Sequence, residues 1–365
     1  MVWRVGLCAV LLAWVFHSIF LEEGRLAWQA QGRSWPALDR GEQWRVGWAH
    51  GPAELWRKLS LIQPGAGAVS LVFMGSTILL GMLRWRRVLQ VQGIDLPLGR
   101  ALEISLVAHF FNSFLLGSTG GDLMKAYYAA RETHHLKTEA VVTVFVDRLI
   151  GLISMLLFAT IMMAPNLALL AAHRRLAALA LLILLMLAGG GLLAGLSFWG
   201  GLSRGWPRAR DWLRRLPRSD ILERSREACR RFGAAPGCLL QALGLSMILN
   251  AFCVLQVWSL ARGLGLAISP VALFVIVPVV ICISALPITP SGLGVRENLY
   301  VWMLAVPEIS VGSTQALSLS LLAYAGSLVW SLVGGVVYVT FKQRHHLGEV
   351  IAAEAPAADQ DQALP

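Results

Sequence analysis

Residues 115–132 read "LLGSTGGDLMKAYYAARE" and follow an almost uncharged apolar run, 101–117. A segment that crosses a bilayer ordinarily ends in water, among charges. This one ends in small residues, a Gly-Gly-Asp, and a helix-forming stretch carrying Lys125, two tyrosines and Arg131. A second apolar run, 270–286, stops in the same way at "LPITPSGLG", residues 286–294. How these two runs are counted decides the fold.

The chain has 365 residues, of which 56% are hydrophobic and 14% charged. Its mean hydropathy is +0.64. A soluble domain carries about a quarter charged residues, so one globular core cannot hide this composition. The natural solvent is a bilayer and the fold class is all-α integral membrane. Five scattered cysteines, an odd number, form neither a disulfide framework nor a zinc site. There is no Gly-rich phosphate loop, no HExxH and no nucleophile elbow, so no cofactor is expected. The net charge of +10 is read as attraction to anionic lipid head groups, not to nucleic acid.

Apolar segments long enough to span lie at about 3–21, 66–83, 139–164, 176–199, 237–261 and 313–341. The run 5–21 is longer than a signal-peptide core, so it is read as a retained span; Ala-Trp-Gln-Ala at 27–30 is the alternative cleavage site. Positive charge then sets the topology. Arg84, Arg86, Arg87 and Arg100 stand between 84 and 100, and ten arginines against four acids between 200 and 236. Lys342, Arg344, His345 and His346 follow the last span. All three places belong in the cytoplasm. If 101–117 crossed completely, the ten-arginine segment would face outside. If it enters from the cytoplasm, turns at 117–121 and returns as 122–135, the arginines stay inside. The same parity makes 270–305 enter and leave from the outer face. The expectation is six full spans plus two oppositely directed re-entrant helical hairpins, possibly an inverted repeat, with both termini cytoplasmic. Residues 1–65 form a first span and an extracytoplasmic segment, 66–341 the transmembrane domain, and 342–365 a cytoplasmic tail expected to be disordered.

Irregular backbone survives at membrane depth only when it is buried in protein or lines a wet cavity. Gly117, Gly120 and Gly121 suit one tip; Pro287, Pro290, Gly292 and Gly294 suit the other. Ser118 or Thr119, and Thr289 or Ser291, are candidate caps for the outgoing helices, whose N-termini would attract anions. Tight helix packing is the other use of such glycines. Asp147 and Arg148 sit about 13 Å inside their span, where each ion costs about 2.5–3.5 kcal/mol. Adjacent helical residues do not face each other. Each therefore needs a partner on another element, and so do Arg296 and Glu297. Asp122, Lys125, Asp147, Arg148, Arg296 and Glu297 are expected to form one network around a polar cavity between the tips; an ion-pair cluster that merely locks helices is the competing reading. Asn112 would line the cavity or satisfy its backbone. His17, His109, Asn250 and Gln256 read as interhelical contacts, His134 and His135 as an interfacial pair. Trp44, Trp48, Trp56, Trp85 and other tryptophans between spans read as interfacial anchors. The arginine- and tryptophan-bearing segment 204–232 suits anionic inner-leaflet lipid as a surface helix, or a plain basic loop.

At these residues the sequence resembles the flippase-like membrane domain of lysylphosphatidylglycerol synthases and their stand-alone bacterial and archaeal relatives. Three motifs carry the resemblance, over about 66–341. "FNSFLLGSTGGDLMKAYY" is similar to the family's asparagine-to-Gly-Gly-Asp segment, "VFVDRLIGL" to its acidic-Arg-Leu segment, and "LPITPSGLGVRE" to its Pro-x-x-Pro-Gly-Gly-x-Gly-x-x-Glu segment. The chain departs from it at Leu116–Gly117, where many members have Pro-Gly, at Lys125 for arginine, Asp147 for glutamate and Ser291 for glycine. The resemblance implies translocation of a polar-headed lipid (phospholipid, aminoacyl-lipid, polyprenyl-linked or hopanoid-pathway lipid) in a bacterial cytoplasmic membrane. Membrane lipids, and a lipid-synthesis enzyme in the same pathway, are the implied partners. The synthases' chemistry resides in a separate soluble domain for which this chain leaves no room, so a transporter is expected. A membrane transferase or phosphatase using Asp122 and Asp147, and a scaffold of a lipid-synthesis complex, are the alternatives.

Overall fold

A computed structural model describes residues 2–114, 120–133, 136–167, 174–198, 227–286, 289, 292–307 and 309–344. The regular elements among them are all helical. The chain opens with α1 (Val2–Ala30) and α2 (Arg40–Ser60), which pack on each other. Asp39 caps α2: its carboxylate accepts from Glu42 N at 2.6 Å, and Glu42 reaches back to Asp39 N at 3.2 Å. Then come α3 (Pro64–Val91), α4 (Leu98–Phe114), α5 (Gly120–Glu132), α6 (Lys137–Met163) and α7 (Arg174–Phe198). A short helix at 227–233 leads to α8 (Pro236–Gly263), α9 (Pro270–Ser284), α10 (Val295–Leu304) and α11 (Ser313–Arg344).

Five helices are long and apolar enough to cross a membrane: α3, α6, α7 over Leu176–Gly195, α8, and α11 over Ser313–Thr340. They coincide with five of the six expected spans. The sixth, 3–21, falls on α1, whose side chains up to Leu12, and that of Val15, lie outside the described ones. The long helices expose Val72, Leu79, Phe145, Leu181, Leu185, Leu192 and Val336. Apolar patches of this extent are stable only against another apolar phase. Trp85 departs from expectation: it is fully buried, not interfacial, whereas Trp44, Trp48 and Trp56 are exposed.

Directions follow from contacts. α3 and α8 run antiparallel, because Gln63 N donates to the Gly263 carbonyl and Gln92 Nε2, at the other end, donates to the Ala228 carbonyl. One end of the bundle therefore holds Pro64 and Gly263, the other Val91 and Pro236. α4 and α5 form a hairpin whose open base lies at the Val91 end, tied by Arg100 to Glu132 at 2.5 Å. α9 and α10 pack as a second hairpin: Ala272 and Ile276 line one small cavity with Met303 and Val306 at its base, at the Pro64 end. The two hairpins thus enter the bundle from opposite ends. Each is preceded by the same device. Gly93 and Gly265 take left-handed φ of 75° and 71° after α3 and α8, and the next residue donates back into the helix: Ile94 N to Leu89 O at 3.1 Å, Leu266 N to Ala261 O at 2.9 Å. The order α3, hairpin, α6 is repeated with reversed direction as α8, hairpin, α11.

Candidate functional site

Among the described residues, two groups of ion pairs involve the hairpins away from their bases. The first joins α3, α5 and α6. Arg84 Nε donates to Asp147 Oδ1 at 2.7 Å, and Lys125 Nζ to Asp147 Oδ2 at 3.0 Å. Arg84 Nη1 also donates to Ser246 Oγ of α8 at 3.0 Å, and Lys125 lies 4.3 Å above the Trp85 ring. Beside this clasp, Arg148 Nη1 pairs with Asp122 at 3.1 Å. The Asp147 side chain is 7% exposed, whereas Asp122 and Arg148 are 31% and 34% exposed. Helix rise places the clasp about 10–15 Å from the Val91 end.

The second group joins α10 to α11. Arg296 Nη2 donates to Glu297 Oε1 at 2.5 Å and its Nε to Ser320 Oγ at 3.3 Å; the guanidinium stands 4.5 Å over the Tyr324 ring. Glu297 is fully buried. Its other oxygen accepts from Gly294 N at 2.6 Å, so this carboxylate caps its own helix. Helix rise places this group about 10–12 Å from the opposite, Pro64 end.

The expectation of partners on other elements holds for Asp147 and Arg148, which meet Arg84 and Lys125, and Asp122, respectively. Arg296 and Glu297 also reach another element, through Ser320 and, for Arg296, Tyr324 of α11, but their ion pair is with each other: at a helix N-terminus the side chain of the third residue folds back and comes within reach of its neighbour. The single expected network is seen as two groups at different depths. Arg84, read from the sequence as one of the loop arginines, is instead inside α3 and bonded to Asp147. Its signal was its place seven residues before the helix end, still within span length.

The glycines divide between their two readings. Gly121 is a packing glycine: an added Cβ would collide with the Ala108 carbonyl and approach Asn112 Cγ to 2.6 Å, and Asn112 Oδ1 accepts from Gly121 N at 2.9 Å. Gly120 is buried beside it. Gly292 and Gly294 are turn glycines, with φ of 69° and 84°. α10 begins at Val295 after Gly294, so Thr289, five residues earlier, is not its cap. Gly117, Ser118, Thr119, Pro287, Pro290, Ser291, His134, His135 and most of 204–232 lie outside the described residues.

The expected site residues did not include the hydroxyls of the last long helix. Ser320, Tyr324, Ser327 and Ser331 recur every three or four residues, one face of α11. Ser320 and Tyr324 meet Arg296; Ser327, through its carbonyl at 3.2 Å and its hydroxyl at 3.4 Å, meets His109 Nε2 of α4, and Ser331 donates to the His109 carbonyl at 3.4 Å. A polar seam therefore runs along α11 from the second ion group toward the first hairpin. His109, and His17 with Trp48 at 3.2 Å, are satisfied interhelical contacts, as is Gln256 with the Ala323 carbonyl. Asn250 Nδ2 is buried without a bond.

No curated protein matches the chain. A family model described as "Lysylphosphatidylglycerol synthase TM region" matches residues 44–335. That interval contains both hairpins and both ion groups, and it begins within α2, upstream of the interval that the motifs covered. This chain is a multi-pass membrane protein that belongs to the family of lysylphosphatidylglycerol synthase transmembrane regions.

Proposed function

We propose that the protein moves a polar-headed lipid between membrane leaflets, with its acyl chains remaining in the bilayer. The observation that carries this reading is the pair of opposed helical hairpins, each bringing an ion group deep into an apolar bundle. Discontinuous helices of opposite direction, meeting between two inverted halves, are how many transporters hold substrate near the midplane. In this reading the hairpins are re-entrant, α1 supplies a sixth span, and both termini are cytoplasmic. The segment 204–232 rests on anionic inner-leaflet lipid. Arg148, Lys125 and Arg296 neutralise the head group's phosphate; Asp122, Asp147 and Glu297 balance them. The α11 seam offers hydroxyls between the two depths. Rocking of one hairpin against the other exposes the path to each leaflet in turn.

Purified protein in liposomes, with a fluorescent lipid quenched from outside, tests this. Expected is protein-dependent loss of fluorescence beyond the outer-leaflet fraction, diminished by Arg148→Gln and Arg296→Gln. Chemical turnover of the labelled lipid would instead mark a membrane transferase or phosphatase. Full activity in Arg148→Lys and Arg296→Lys, with alanine replacements altering stability alone, would make the ion groups structural.

A further inference from the structure

The second hairpin carries two hydroxyls, where its helices meet, that no described residue satisfies. α9 ends at Ser284, about 21 Å of helix from Pro270 and so at membrane depth. Ser284 Oγ and Thr289 Oγ1 are both enclosed, and among the described residues neither has a hydrogen-bond partner. Thr289 as a whole is only 6% exposed. Gly292 brings the two residues together. Its N–H donates to the Thr289 carbonyl at 3.3 Å, and a Cβ added to it would stand 2.8 Å from Ser284 Cβ and 2.9 Å from the Ser284 carbonyl oxygen. An unpaired buried hydroxyl is costly, and native proteins seldom keep one without a purpose. Here two border one glycine.

The surroundings select the sign of a ligand. The positive, N-terminal end of α10 is already taken: Glu297 accepts from Gly294 N at 2.6 Å and holds Arg296. What remains is oxygen, the two hydroxyls and the Ser284 carbonyl, at the negative end of α9. Pro287 and Pro290, in the connecting sequence, bring no N–H. A set rich in acceptors and poor in donors takes a cation. Divalent and transition ions call for carboxylate, imidazole or thiolate ligands. Glu297 is engaged with Arg296, and among the described residues no three His, Cys, Asp or Glu side chains gather to hold a metal. Neutral oxygens suit an alkali cation, whose hydration shell they replace. The close approach of Gly292 to Ser284 favours sodium, the smaller of the common ones.

We propose that the second hairpin holds a sodium site, with the Ser284 and Thr289 hydroxyls as ligands. The ion ties the end of α9 to the turn before α10. Unwound backbone and helix C-terminal ends are where transporters coordinate such ions. In the translocation reading, on which this consequence rests, sodium fixes the turn that presents Arg296 to the path, and lipid movement becomes sodium-dependent.

Thermal unfolding of the full-length protein in detergent, in sodium, potassium or choline chloride at one ionic strength, tests the site. Expected is a midpoint about 2–4 °C higher in sodium at ten times its dissociation constant, the shift given by a ligand of the folded state alone, with no comparable rise in the other salts. Thr289→Val keeps the shape and removes one hydroxyl. It should keep its midpoint in choline, because it deletes an unsatisfied group, and bind radioactive sodium at least about tenfold more weakly; Thr289→Ser should restore binding. Equal midpoints in the three salts, an equal rise in potassium, or unchanged sodium affinity in both Thr289→Val and Ser284→Ala would each overturn the site. In liposomes, lipid should move faster in sodium than in choline, and Thr289→Val should abolish the difference; equal rates for the unaltered protein would overturn the sodium dependence. Movement in none of the salts would remove the translocation reading, while the binding measurements in detergent still decide the site.

Discussion

Asp147 carries its charge about 15 Å inside α6, and it is tolerable there because Arg84 and Lys125 both reach it. Removing the carboxylate strands two cations in an apolar bundle. Asp147→Ala should therefore cost about 3–5 kcal/mol, read as a fall in thermal unfolding temperature in detergent; an unchanged midpoint would show that the clasp contributes no stability. Gly121 is constrained by space. Its missing Cβ is what lets α5 lie against the Ala108 carbonyl of α4. Gly121→Ala should destabilise by about 1–3 kcal/mol, the usual cost of overpacking, whereas the same change at Gly99, with open space around it, should not. Arg296 stacks on Tyr324 and forks between Glu297 and Ser320. Lysine keeps the charge and loses the plane and the fork, so Arg296→Lys is not a conservative change.

The described residues of the hairpins are held at their bases and by α11. Arg100 bonds Glu103 on its own helix and Glu132 at the far end of α5. These side chains are partly open to solvent, so the cross-hairpin pair is worth at most about 1 kcal/mol. A double-mutant cycle on Arg100 and Glu132 should return a coupling of that size that fades with salt; no coupling would mean that apolar contacts alone close the base. Those contacts are considerable, since Ile104, Val107, Tyr128 and Ala129 are all buried in one cluster. The N-terminal pair α1–α2 docks on α11 through another polar bond. Glu23, buried, accepts from Lys58 Nζ at 2.8 Å and from Thr314 Oγ1. α11 is thus the common wall: it meets α4, α10 and α2.

The bundle as a unit places residues 95 and 133 at one end and residue 310 at the other, because α4 and α5 enter and leave at the same side. Single cysteines at Asp95, Thr133 and Ser310 should label accordingly: the first two from one face of the membrane, the third from the opposite face. Labelling of Thr133 and Ser310 from the same face would turn the first hairpin into a complete crossing and undo the parity of the remaining spans. The reversed repetition of long helix, hairpin, long helix gives the two ion groups comparable depths from opposite ends.

The membrane class and five of the long helices were legible in the residues, because length and apolar content act locally and add along the chain. One helix ends at Phe114 and the next begins at Gly120, and another ends at Ser284 and the next begins at Val295, which brackets the two stretches whose glycines and prolines marked interruptions in the sequence. Partnership was not legible. Nothing local in Arg84 distinguishes it from Arg86 and Arg87; α3 winding past α6 brings it to Asp147, while Arg86 bonds Asp95. Nothing local told that Gly121 serves packing and Gly294 a turn, or that Glu297 would cap its own helix and hold the arginine beside it. The partnership of Arg84 and the packing of Gly121 depend on which helix surfaces meet, and Arg84 and Asp147 are 63 residues apart in sequence but in hydrogen-bond contact in space.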